Sequence, residues 1–503
     1  MKILLVASMA VFVITVGRMG PDTAPDGDAR VRPNIVFMLS DDHRSGTMGC
    51  EGHPWAQTPA LDRLANEGVR FANAFVTTSL CSPARASFLT GMYARRHGVL
   101  DNATALSPDV PSLASALTAS GYDSIYIGKY HMGDQRSRPG FTRSATYVGQ
   151  GVYHGSEFLV DGKSERTERW IDDVATDYAV EFLREDRDHP FFLTIGFKAA
   201  HGPPMAPKDL RSLYEGETLP APPNADALTP FPRKRELRDL MNRDQIGSRD
   251  FTTPEDWAAD PSRRHRDLWQ GKLLRAAGVS KLSEVPNWLG PDLANYHRQI
   301  HSIDRNVGRI LDVLDELEVA DNTIVVYASD NGLLNGEHGL RFKRVAYESS
   351  MRIPLIFRYP GAGDGGRTVA PLVLNIDLAP TLLDFAGLPA PEAMQGVSWR
   401  PLLETRQSTD PDDGYEWREA FLYEYTHERG YFNPALFAAR TDRWKLIRYP
   451  GYPSWTELFD LHSDPYELAN LAADPEHGST LETMTGLLEE LQLAAGPRPR
   501  AGR

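Results

Sequence analysis

Asn34-Ile35-Val36-Phe37-Met38-Leu39, closed by Ser40 and then by Asp41-Asp42, is the stretch from which the fold can be read. An apolar run this short, without polar alternation, suits a strand covered on both faces, as in a parallel sheet between helices. Thr323-Ile324-Val325-Val326-Tyr327-Ala328 repeats the design and ends, after Ser329, in Asp330-Asn331. Ahead of it Ile300, Ile303, Val307, Ile310, Leu314 and Leu317 recur at spacings of three and four, which predicts a helix with one apolar face. Phe191 to Phe197 and Ser124 to Ile127 are further candidate strands, leading to His201 and to Lys129 and His131 respectively. The class is therefore α/β, with a central, mostly parallel sheet between helices. Ligands of such sheets bind beyond the carboxyl ends of the strands, where these polar residues gather.

At 503 residues, two or three domains are expected. Lys2, the apolar run Ile3 to Val16 and the Pro/Asp-rich stretch after it predict a signal peptide and linker over residues 1–30, and so export to the periplasm or beyond. That run is shorter than the roughly 20 residues of a spanning helix, and no later segment resembles one, so no stable membrane span is expected. Residues 31–390 form the main α/β domain, with an insertion at about 206–290 that is rich in Pro, Arg and Asp and lacks periodicity. In residues 391–503 the pattern changes to short antiparallel strands at Ala435 to Arg440, Trp444 to Tyr449 and Thr456 to Leu461. A last helix follows at Leu481 to Leu493, giving a smaller α+β subdomain. The net charge of −14 argues against a nucleic-acid-coating surface. Nothing in the sequence sets an oligomeric state.

Asp41, Asp42, Asp330 and Asn331 are hard oxygen donors suited to Ca²⁺ or Mg²⁺. Either pair alone is more often a turn or helix cap, and it is their shared place at the ends of buried strands that raises the metal reading above that one. No H-E-x-x-H or C-x-x-C element points to zinc. Of the two cysteines, Cys81 stands in Ser79-Leu-Cys-Ser-Pro-Ala-Arg-Ala-Ser-Phe-Leu-Thr-Gly91. Pro83 fits the first turn of a helix, which places Cys81 near a positive helix end beside Arg85 and predicts an acidified, nucleophilic thiol. A buried apolar role, or a disulfide with Cys50, are the alternatives.

The Ser79 to Gly91 run resembles the first signature of the type I sulfatases, and Gly121 to His131 (G-Y-D-S-I-Y-I-G-K-Y-H) resembles the second. The similarity runs from Arg32 through Ser329 to Gly332 and Tyr347 to Phe357, and on to Leu458 through Leu468. It implies the alkaline-phosphatase-like fold and conversion of Cys81 to Cα-formylglycine by a formylglycine-generating or equivalent maturation enzyme. It also implies a Ca²⁺ site, with Mg²⁺ as the alternative, built from Asp41, Asp42, Asp330, Asn331 and the modified Cys81. By the same matching Arg85 orients the formylglycine, Lys129 holds sulfate, His131 meets the geminal diol, Lys343 contacts the sulfate and bridging oxygen, and His201 protonates the leaving alcohol. Glu337 and His338, between the metal pair and Lys343, are candidates for substrate contact.

Gly336 to Ser350 resembles the branch that removes 6-O-sulfate from N-acetylglucosamine in glycans, although Phe342 stands where that branch commonly has Asp. A sulfated carbohydrate is thus the expected substrate. The rival readings are an arylsulfatase, a choline-sulfatase-like enzyme, a phosphonate or phosphate monoester hydrolase, or a sulfated-glycan-binding protein if Cys81 stays unmodified. Asn102-Ala103-Thr104 also matches a glycosylation acceptor.

Overall fold

The computed structural model describes residues 32–215, 217, 222–225, 227, 289–363, 365–404, 417–426 and 435–497. The expected signal peptide and most of the 206–290 insertion lie outside these residues. A ten-stranded sheet carries the molecule, in the order Arg367–Val369, Val69–Phe71, Leu355–Arg358, Thr323–Ser329, Asn34–Ser40, Phe191–Gly196, Asp123–Lys129, Arg143–Tyr147, Glu157–Val160 and Lys163–Arg166. Its centre, from Thr323–Ser329 to Arg143–Tyr147, is parallel throughout. All four strands expected from the sequence lie in it. The flanks, antiparallel except where Arg367–Val369 pairs parallel with Val69–Phe71, come from strands too short or too polar to show a run, such as Lys163–Arg166.

Burial on both faces explains the unbroken apolar runs. Val36 and Met38 face one way, onto Ile303, Val307, Ile310 and Leu314 of the long helix Leu289–Glu316. Ile35, Phe37 and Leu39 face the other way, onto Ala84 and Phe88 of the helix Cys81–Thr90 and onto Leu382 of Leu378–Phe385. Successive side chains of a strand alternate between faces, so a layer on each side demands an apolar residue at each position.

A second sheet, antiparallel, runs Ala420–Tyr425, Leu436–Thr441, Trp444–Arg448, Glu457–Asp460. Its first strand was not expected. One face packs Phe421, Tyr423 and Ile447 against Phe75, Leu80 and Tyr347, and the other packs Leu422, Phe437 and Leu446 against Met484 and Leu488 of the last helix, Gly478–Ala494. Among the described residues no helix is long and apolar enough to cross a membrane.

Candidate active site

Five parallel strands end at one place. Asn34–Ser40 delivers Asp41 and Asp42, Thr323–Ser329 delivers Asp330 and Asn331, Asp123–Lys129 delivers Lys129 and His131, Phe191–Gly196 delivers Lys198 and His201, and Arg143–Tyr147 delivers Gln150. The two acidic ends are locked side by side, since Ser40 pairs with Ser329 and the Asp330 amide donates to Ser40 O at 3.0 Å. Carboxylate oxygens of Asp41, Asp42 and Asp330 lie within 4.8 Å of one another. Asp42 and His131 take left-handed backbone angles, φ 59° and 56°, a conformation L-residues adopt at a cost and keep mostly where the surroundings dictate it.

Cys81 enters from the opposite layer as the first residue of a helix buried along its whole length, with Leu80 as the cap. Asn102 Oδ1 accepts from Ser82 N at 3.0 Å. The residue that reads as a glycosylation acceptor thus satisfies one of the helix's free amides. Sγ of Cys81 lies 3.5 Å from Asp41 Oδ1, 2.9 Å from Lys343 Nζ and 3.9 Å from Lys129 Nζ. Both cysteines are free. The expected acidified thiol is not found: burial first, and Asp41 next, push Cys81 up to about 12 against the pull of Lys129 and Lys343. Desolvation outweighs the two ammoniums because Sγ has lost its water altogether. This group is no ready thiolate.

Arg85, one turn further along the helix, donates from Nε to Asp330 Oδ2 at 2.8 Å and from Nη1 to Lys129 O at 2.6 Å, with Nη2 3.5 Å from Asp41 Oδ2. It cross-links three strand ends. A Cβ at Gly196 would collide with the backbone carbonyl oxygen of Lys129 and stand 2.9 Å from Arg85 Nη1, so glycine there lets that strand end and the guanidinium approach. Lys129 pairs with Asp41 and donates to Gln150 Oε1 at 2.5 Å, while Lys343 pairs with Asp42. Burial alone would raise Asp41, yet Lys129, His201, Lys343 and Arg85 hold it well below the usual carboxylate range. Asp330, burdened by burial and by Asp41, is raised to about 6.

Both histidines are neutral in this setting. Burial, then Lys129, holds His131 well below its ordinary value, and burial lowers His201 to about 3. His201 Nδ1 lies 2.7 Å from Gly202 O, and a carbonyl only accepts, so Nδ1 carries the ring proton and Nε2, 3.9 Å from Asp42 Oδ2, presents its lone pair.

Glu337 and His338 are enclosed, each 1% exposed. Glu337 pairs with Arg44 and accepts from Asn335 N, and His338 stacks on Tyr347 with centroids 3.9 Å apart and lies 3.2 Å from Asn224 Nδ2. They shape the loop leading to Lys343 and are engaged by protein partners. Two site residues escaped the sequence reading. Gln150 follows a strand whose sequence, Arg-Ser-Ala-Thr-Tyr, shows no apolar run. Lys198 is 2% exposed, lies 4.9 Å from the Tyr153 ring centroid and is lowered by burial to about 8. Its place three residues before His201 at a strand end was the available signal.

Asn331 Oδ1, His131 Nδ1 and Arg85 Nη2 are buried without a hydrogen-bond partner. Orphaned polar atoms beside three carboxylates fit a hard divalent cation and an anionic ligand.

Comparison with known proteins agrees with this chemistry. The profile of the family described as Sulfatase matches residues 33–388, and that described as N-sulphoglucosamine sulphohydrolase, C-terminal, matches residues 336–494. An N-acetylglucosamine-6-O-sulfatase of Bacteroides thetaiotaomicron is 33% identical over 93% of this chain and 88% of its own. A choline-sulfatase of Rhizobium meliloti is 27% identical over 90% of this chain and 85% of its own. A solved structure in complex with its substrate D-glucosamine-2-N,6-O-disulfate superposes with a TM-score of 0.77 at 31% identity, covering 92% of this chain and 98% of the other. A cysteine-centred cluster of three carboxylates and three cations at the end of a parallel sheet, matched along nearly the whole chain, places this protein in the sulfatase family, as a hydrolase of sulfate esters.

Proposed function

We propose that this sulfatase removes sulfate from a sulfated carbohydrate, with 6-O-sulfated N-acetylglucosamine as the working substrate, after Cys81 has been converted to Cα-formylglycine. The observation that carries the reading is the 33% identity to the N-acetylglucosamine-6-O-sulfatase across 93% of the chain. The solved relative bound to a 6-O-sulfated glucosamine supports the same class. Export, through the segment Lys2 to Val16, belongs to this reading, since polymeric sulfated glycans lie outside cells.

Asp41, Asp42, Asp330 and Asn331 would hold the cation together with the residue at position 81. Formylglycine would supply a hydrated aldehyde whose two hydroxyls serve attack on sulfur and then release of sulfate, and a bound Ca²⁺, or Mg²⁺, would supply positive charge toward the sulfuryl oxygens. Lys129 and Lys343 flank the position of the nucleophile and offset charge that grows on the transferring group, the kind of fixed electrostatics that dominates many catalysed transfers. Lys129 and Lys343, which pair with Asp41 and Asp42 here, would be released toward the substrate where those carboxylates held a cation instead. His131, neutral and with Nδ1 unpartnered, is able to take a hydroxyl proton. His201 has spent its proton on Gly202 O, so its service as acid to the leaving alcohol needs a second proton, which a bound sulfate anion favours by raising its pKa. Arg85 keeps the strand ends in register.

The test is mass spectrometry of the peptide spanning Cys81, paired with sulfate release from 6-sulfated N-acetylglucosamine, choline sulfate and a matched phosphate ester. Conversion lowers the peptide mass by about 18 Da. An active preparation with an unmodified thiol overturns the nucleophile, and turnover confined to choline sulfate overturns the carbohydrate.

A further inference from the structure

His201 ends a short loop whose main chain is gripped from two sides. The amides of Lys198, Ala199, Ala200 and His201 all have acceptors. Ala200 N donates to Asp41 O at 2.6 Å, His201 N donates to Lys198 O at 3.1 Å, and Asp41 N donates back to Ala199 O at 2.9 Å. The loop is thus tied to the strand end that carries Asp41 and Asp42. The remaining two amides are held by a single side chain. Lys198 N donates to Asp172 Oδ1 at 2.7 Å and Ala199 N donates to Asp172 Oδ2 at 3.0 Å.

Asp172 is the second residue of the helix Ile171–Leu183 and is fully buried. The free amides of its own helix start are the usual partners of an acid in that place. Here both oxygens turn to another segment. Burying the charge is costly, and the positive end of the helix offsets part of the cost. Two N–H donors, one on each oxygen, suit the ionised carboxylate.

The same helix start holds the loop a second time. Trp170, the cap of the helix, stacks on Tyr153 with ring centroids 4.3 Å apart, and Ile171 N donates to Tyr153 O at 3.0 Å. The Tyr153 hydroxyl in turn donates to His201 O at 2.5 Å. The main chain is therefore fixed two and three residues before His201 by Asp172, and at His201 itself by Tyr153. The ring then has only its own torsions to settle, and the contact of Nδ1 with Gly202 O at 2.7 Å settles them.

We propose that Asp172 is a positioning residue that sets where His201 presents Nε2, with Tyr153 as the second point of attachment. The inference rests on the reading of His201 as acid to the leaving alcohol. Asp172 bonds main-chain amides only, so its removal displaces His201 and leaves the imidazole in the chain.

The experiment compares the mature full-length wild type with Asp172→Asn, Tyr153→Phe and His201→Ala on 6-sulfated N-acetylglucosamine and on 4-nitrophenyl sulfate. A sugar alkoxide needs a proton as it leaves and 4-nitrophenolate does not, so a misplaced acid reads as a split between the two esters. Asparagine keeps the shape and one acceptor, and sets its NH₂ against an amide N–H. Asp172→Asn should lower kcat about thirtyfold on the sugar ester and about threefold at most on the aryl ester, with KM changed less than about twofold. Tyr153→Phe keeps the stacked ring and should show the same split at about tenfold, which carries the test if Asp172→Asn does not fold. Equal losses on the two esters, or no loss, overturn the positioning role, since general damage to the fold does not distinguish leaving groups. A crystal structure of Asp172→Asn should show the His201 ring moved by about 1 Å, and an unmoved ring overturns the role whatever the kinetics. His201→Ala is the reference, with an expected loss of at least about 10²-fold on the sugar ester. A split missing from His201→Ala itself overturns the acid reading, whereas a split present there and missing from Asp172→Asn overturns the inference alone.

Discussion

Two buried clusters of charge stand side by side in this molecule and are built on opposite terms. Around Cys81, three carboxylates face Arg85, Lys129 and Lys343, yet Asn331 Oδ1, His131 Nδ1 and Arg85 Nη2 have no hydrogen-bond partner. Around Glu348, two carboxylates take two cations, and the third, Glu457, is closed off by two tyrosines. Charge balances in the first and leaves one carboxylate over in the second, and among the residues of the two clusters three polar atoms lack a hydrogen-bond partner in the first against Glu467 Oε1 alone in the second. The difference separates a place that waits for a ligand from one that holds the backbone. Burying a polar atom unpaired costs about 1–3 kcal/mol, a cost that persists where binding recovers it.

Substitutions test the contrast. Replacing Cys81 with Ala should abolish turnover, by at least about 10⁴-fold in kcat, as loss of a covalent nucleophile does, with little change in melting temperature. Glu348→Gln, in the other cluster, should do the reverse. It leaves Lys445 and Arg440 short of a charge and should cost about 3–5 kcal/mol in unfolding experiments, with kcat of the surviving folded fraction much less affected. Lys343→Ala should lower kcat by about 10²–10³, the usual effect of removing one fixed stabiliser of transition-state charge. Gly196→Ala drives its Cβ into the backbone carbonyl oxygen of Lys129 as well as against Arg85 Nη1, so it should shift the strand end that carries Lys129 and lower kcat about tenfold, since displacing a positioned group by a fraction of an ångström is enough.

The smallest effect is on stability against pH. Glu457 is raised from 4.5 to about 8 by burial, so the unfolded chain releases this proton first. Its contribution is whole below pH 4.5 and is lost as pH rises to about 8. Glu348 is held at about 2 by Lys445 and Arg440 against burial, so its contribution is present above 4.5 and lost as pH falls toward 2. Melting profiles of Glu457→Gln should be flatter on the alkaline side, and those of Glu348→Gln flatter on the acid side. If neither changes, the cluster is not the fixed element described here.

What the sequence disclosed follows from the same physics. The central strands were legible because a layer on each face leaves no polar position, as in Asn34 to Leu39. The flanking strand Lys163–Arg166, exposed along its length, carries no such signal. The acidic pairs, Lys129, His131 and His201 were legible as polar residues ending apolar runs. Gln150 was not, because the strand before it reads Arg-Ser-Ala-Thr-Tyr. The thiol of Cys81 was misjudged: position at a helix start is visible in sequence, whereas complete desolvation is a property of the packed molecule. Glu337 and His338 were singled out by proximity to Lys343, and only the fold shows that Arg44 and Tyr347 engage them.

The burial of the Cys81 helix also fixes an order of events in the life of the chain. Each residue from Cys81 to Thr90 is enclosed, and Ser79 just before it is bonded to Tyr423, more than three hundred positions later in the chain. Once the second sheet has docked, no catalyst of ordinary size reaches the thiol. If Cys81 is converted as proposed, the enzyme that alters it has to find it while the chain is still open, and the time between synthesis and docking of the last strands then limits how much of this protein becomes active.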